Sequence, residues 1–80
     1  MEVKIESDFI KLDSLLKLAG VAQTGGHAKI MIMESAVSVN NEICTMRGKK
    51  IYPKDSVTVK LYNDEGKVEQ SINIKVSLDK

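Results

Sequence analysis

The chain has 80 residues, 42% hydrophobic and 29% charged, with a formal net charge of +1. That length suits one domain, able to bury roughly 60% of its unfolded surface, which leaves one thin core and hardly any room for a deep catalytic cleft. The composition excludes a disordered chain, the single Cys44 excludes an internal disulfide, and one cysteine with one histidine excludes a structural zinc site of about four ligands.

In chain order, Val3 and Ile5 alternate with polar neighbours and predict a short strand. From Leu12 the period changes: Leu12, Leu15, Leu16 and Ala19 fall on one face of a helix, with Gly20 as its stop. Thr24 is placed to cap a second helix over about Gly25 to Glu34, whose inward face carries Ala28, Met31, Ile32 and Ser35. The short link between the helices predicts a packed helical pair. Val37 and Val39 lead into Asn40-Asn41, a tight hairpin turn, and Ile43 continues on its far side. Arg47-Gly48-Lys49-Lys50 is a polar loop, and Tyr52-Pro53-Lys54-Asp55 a second turn. Val57, Val59 and Leu61 form a strand. Asn63 to Gly66 turns the chain, and Val68, Ile72, Ile74, Val76 and Leu78 share parity in a last strand with an irregular start, giving a C-terminal hairpin over about 56–78. A strand, two helices and a run of strands predict an α+β domain over 1–80, with both helices on one face of a small antiparallel sheet.

Charge is uneven along this frame. Residues 9–60 hold eight cations (Lys11, Lys17, Lys29, Arg47, Lys49, Lys50, Lys54, Lys60) against four acids (Asp13, Glu34, Glu42, Asp55), a balance of +4. Residues 1–8 carry −2 and residues 61–80 carry −1. A basic middle between acidic ends directs an anionic partner to one face. No apolar run approaches the roughly 20 residues of a membrane span, and the first residues show no signal-peptide core. The expectation is a cytoplasmic protein without a membrane.

Two segments carry chemistry. In Thr24-Gly25-Gly26-His27-Ala28-Lys29, two glycines at a helix mouth leave amides uncovered, and these attract phosphate with Lys29 one turn in. The plainer alternative is that the glycines only let the chain turn tightly. Arg47, Lys49, Lys50 and Lys54 crowd like charges onto one stretch, suited to phosphate through Arg47's fork and the lysines' point charges. A solvated loop is the plainer reading there, and the cluster gains weight only if it shares a face with the first segment. His27 has no base–orienter pair around it and Cys44 reads as a buried thiol. Asp13 suits the first helix start, and Met31 and Met33 suit packing. Nothing calls for a cofactor or metal, or suggests an enzyme. Aromatics are limited to Phe9, Tyr52 and Tyr62, a shortage that favours folded RNA over stacked single strands.

These segments resemble a known family. Residues Phe9 to Val21 are similar to the first helix of the RNA-binding domain named after ribosomal small-subunit protein S-four. Residues Thr24 to Lys29 resemble the second-helix start of its small stand-alone members, the YaaA/YbcJ type. Residues Val37 to Asn41 resemble its hairpin turn, and residues Arg47 to Asp55 its basic loop and following turn. The match covers about residues 9–60. The resemblance implies the alpha-L motif, two helices on a bent β hairpin. It implies a single RNA-binding face formed by Lys11, Thr24, Gly25, Gly26, Lys29, Asn40, Arg47, Lys49 and Lys50, and a structured RNA partner, ribosomal RNA in assembly or translation. Asn41 and Lys54 stand where the family usually has glycine. The competing expectation is a protein-interaction module that uses an exposed sheet edge of the acidic C-terminal part.

Overall fold

The computed structural model describes residues 1–79. In chain order the elements are β1 (Glu2–Ile5), β2 (Ile10–Lys11), α1 (Leu12–Leu18), α2 (Gly25–Met33), β3 (Val37–Val39), β4 (Glu42–Ile43), β5 (Lys50–Ile51), β6 (Ser56–Tyr62) and β7 (Val68–Leu78). The class is α+β.

α1 buries Leu12, Leu15 and Leu16 completely. It ends in a paired C-terminal motif: Gly20, at φ 77°, donates to Lys17 O, and Val21 N–H donates to Leu16 O, both at 3.0 Å. α2 is capped by Thr24, whose hydroxyl accepts the His27 N–H at 3.0 Å. Its buried face is Ala28, Met31 and Ile32. Ser35, expected on that face, is instead exposed at φ 64°. The helix stops at Met33, so its period no longer applies. Ser35 N–H and Ala36 N–H close the end on Ile32 O and Met31 O, and Ala36 turns inward instead.

The main sheet has the order β1-β7-β6-β3-β4. β3 pairs antiparallel with β4 and β6, and β6 with β7. The sheet is nevertheless mixed, not antiparallel throughout as expected, because β1 joins β7 in parallel, Val3 opposite Val76. Two strands this far apart in the chain are free of the hairpin constraint that forces antiparallel pairing, since the rest of the fold is their crossover. A second sheet of two strands, β2 against β5, stands apart from the first.

The turns use their residues as their dihedrals require. Asn40 and Asn41 lie at φ 50° and 72°, a two-residue turn of mirror-image type. Lys54 lies at φ 80° after Pro53, where glycine is the unstrained choice. One buried cluster joins Leu15, Leu16, Met31, Ile32, Val37, Val39 and Val57 with Ile51, Ile74 and Val76. In β7 only Ile74 and Val76 are fully buried; Val68 and Leu78 are exposed. A register shift at Leu61/Tyr62 marks the irregular start of this strand.

Leu16 has no exposed surface. Leu16→Ala is expected to lower stability by about 2–5 kcal/mol, as for fully buried leucines. Chemical denaturation measures it, and a loss below about 0.5 kcal/mol, typical of surface positions, would contradict the packing described.

Candidate nucleic-acid interface

α1 starts without a side-chain cap: its N-cap residue is Lys11, which makes no capping bond. A helix start leaves several amides unpaired. Here the basic loop supplies the acceptors. Leu12 N–H donates to Lys49 O at 2.9 Å and Asp13 N–H to Arg47 O at 3.1 Å, while Ser14 N–H donates to Asp13 Oδ1 at 2.8 Å. The backbone of Arg47-Gly48-Lys49 is thus clamped onto the head of α1. The segment read as loop continues into β5, and Lys11 comes to lie directly opposite Lys50.

Two like charges facing each other across a ladder are destabilising. Both lysines are exposed, and neither has a carboxylate within ion-pair distance among the described residues, where the one ion pair is Lys67 with Glu65. Arg47 and Lys49 are likewise exposed and unpaired among the described residues. Lys50 Nζ lies 4.8 Å from the centre of the Phe9 ring, and Phe9 packs on Tyr52 at 6.0 Å between centroids. Two of the three aromatic side chains therefore flank the cation cluster.

The second group sits at the other end of α1. That helix has seven residues, about 10 Å at a rise of 1.5 Å each. Lys17, in its last turn, runs past Gly25, where an added Cβ would lie 4.0 Å from Lys17 Cδ. Lys29 is four residues beyond Gly25 and shares its helix face. Thr24's hydroxyl serves the cap. The N–H groups of Gly25 and Gly26 have no acceptor among the described residues. Neither glycine has a positive φ, and a Cβ at either would meet only ordinary contacts. A tight turn therefore does not explain them.

α1 joins the groups through Lys11, Ser14 and Lys17, exposed at three-residue spacing opposite the buried leucines. Lys17 lies on this face at the same spacing, although the residues singled out from the sequence did not include it. Asn40 belongs to the scaffold of the region: its Oδ1 accepts the Ser56 N–H at 3.0 Å and its Nδ2 donates to Asp55 Oδ1 at 3.2 Å. Lys54 lies in the next turn, its N–H on Val76 O at 2.7 Å. His27 is exposed, and Cys44 is half-buried, its thiol donating to Met46 O at 3.6 Å. Among the described residues no group of three His, Cys, Asp or Glu side chains is placed to hold a metal ion, and no helix is long and apolar enough to cross a membrane.

Comparison with known proteins gives two findings. The family described as S4 domain matches residues 3–69, a wider span than the basic middle of the chain. A probable ribosome maturation protein, RlbA of Bacillus subtilis (strain 168), is 42% identical over 57 residues, 71% of this chain and 80% of that protein.

Because the backbone makes no use of Gly26, Gly26→Ala is expected to raise stability by about 0.5–1 kcal/mol, the helix penalty of glycine. Thermal or chemical denaturation reads this out. A destabilised variant would show that the glycine serves the fold after all.

Proposed function

The chain belongs to the S4 domain family, and from that premise we propose that it is a non-catalytic RNA-binding protein. It docks structured RNA, with ribosomal RNA during ribosome maturation as the partner class, in line with the printed description of its Bacillus relative. In this reading the two helices over the β3–β4 hairpin form the alpha-L frame, residues 1–80 act as one unit, and the setting is cytoplasmic. The observation that carries the proposal is the facing pair Lys11 and Lys50, with no carboxylate within ion-pair distance among the described residues. Like charges facing each other cost the fold stability; a phosphate between them removes the repulsion.

The binding face runs along α1. Arg47, Lys49, Lys50 and Lys11 take phosphates at its head. Lys17, Lys29 and the amides of Gly25 and Gly26 take one at its tail, where the dipole of α2 adds to the attraction. Phosphate contacts fix position and register; the shape of the folded RNA supplies selectivity.

RNA titration over a salt series tests this. Neutralising four to six phosphates gives log affinity against log salt a slope of roughly −3 to −5. Lys29→Ala flattens it by about one unit, and Arg47→Ala with Lys50→Ala flattens it further. Gly26→Glu weakens binding more than Gly26→Ala, because it adds negative charge where phosphate sits. Circular dichroism checks that each variant is folded. Folded Lys29 and Arg47/Lys50 variants that bind like the parent would overturn the site, and a flat salt dependence would overturn the mechanism.

A further inference from the structure

Beside the cation cluster the surface is concave, enclosing about 510 Å3 between the β3–β4 turn and the basic loop, within the roughly 300–1,000 Å3 of small-ligand pockets. Its walls are unusual for a surface in contact with water. Ile43, Met46 and Tyr52 line it, and they are 65%, 68% and 48% exposed. Lys49, Lys50, Glu42 and Asp55 line it as well. Tyr52 is held firmly: its ring packs on Phe9 and its N–H donates to Asp55 Oδ2 at 2.8 Å.

We infer that this groove seats one unpaired nucleobase of the bound RNA, its flat face on Tyr52 and Ile43, with the adjoining phosphate on Lys49 and Lys50. The inference rests on the RNA-binding reading above and deepens it, from phosphate and shape alone to a bulged or looped nucleotide within a folded RNA. Each wall has a matching part in a nucleotide. An apolar plane meets a ring fixed by its own partners, and an anion meets two lysines without a carboxylate partner among the described residues. Base–aromatic stacking tolerates any base, because every base has a π face. The Glu42 carboxylate has no hydrogen-bond or ion-pair partner among the described residues. It can accept an exocyclic amine N–H, as carboxylates do from cytosine. The acidic and apolar side chains of a peptide would satisfy the lysines but offer Glu42 no N–H, so the nucleotide fits better. One aromatic side chain, Tyr52, therefore lines the groove, and Phe9 supports it from behind as its packing partner.

The test compares two labelled stem–loop RNAs, identical except that one has a single unpaired cytidine in the stem, by fluorescence anisotropy at fixed and varied salt. The unpaired cytidine should strengthen binding by about fivefold or more, the stacking contribution of one base. Tyr52→Ala should bring the ratio of the two affinities close to one. Ile43→Ser, at another lining residue and exposed, should reduce it too; this variant decides the matter if Tyr52→Ala does not fold. If both RNAs bind alike, with a steep salt slope, the base site is overturned, the phosphate reading stands, and the groove is left to a protein ligand. If neither RNA binds at any salt, the RNA-binding reading falls and this inference with it.

Discussion

The clamp of the basic loop on the head of α1 is the contact on which the rest of the surface depends. A helix of seven residues cannot persist alone in water, and α1 has no capping side chain. Its first amides are closed by Lys49 O and Arg47 O, each such bond contributing about 0.5–1.5 kcal/mol net. The same two bonds deliver four cations to one place. They align β5 against β2, set Lys50 opposite Lys11, and bring Tyr52 onto Phe9. Repulsion between exposed lysines amounts to less than about 1 kcal/mol per facing pair, so the backbone bonds and the buried Ile51 can hold the concentrated charge. The electrostatics of the face are thus a consequence of how a helix end is satisfied.

The tail of α1 follows a different logic. There the amides of Gly25 and Gly26 are left open, although Thr24 caps the next one. Glycine in a helix costs about 0.5–1 kcal/mol relative to alanine, and the backbone at these positions draws no benefit from it. Closed amides at the head with cations outside, and open amides at the tail with Lys17 and Lys29 beside them, are two ways of presenting positive potential along one short helix. About 10 Å of helix separates them.

Much of this was legible in the chain because local rules were enough. The leucine spacing set the inward face of α1, the Thr24 hydroxyl at the start of the second helix marked a cap, and Asn40-Asn41 and Pro53-Lys54 announced their turns. What could not be read was tertiary. The cap of α1 comes from carbonyls of another segment, and carbonyls carry no sequence signal. β2 and β5 have two residues each, too few for any periodicity. β1 joins β7 in parallel across the whole fold, a choice no local pattern encodes. Ser35 was misplaced because the helical period was carried past Met33. Counted in the sequence, the aromatics looked too few for stacking; the fold concentrates two of them beside Lys50.

The most direct measurement of the central claim is a paired one on Lys11→Glu: stability by chemical denaturation and RNA affinity by titration. The change replaces a repelling pair with an attracting one and puts negative charge at a helix start. If the lysines face each other for the sake of phosphate, the variant should be more stable by a few tenths to about 1 kcal/mol and bind RNA more weakly. A variant that binds RNA as the parent does would contradict the account, whatever its stability.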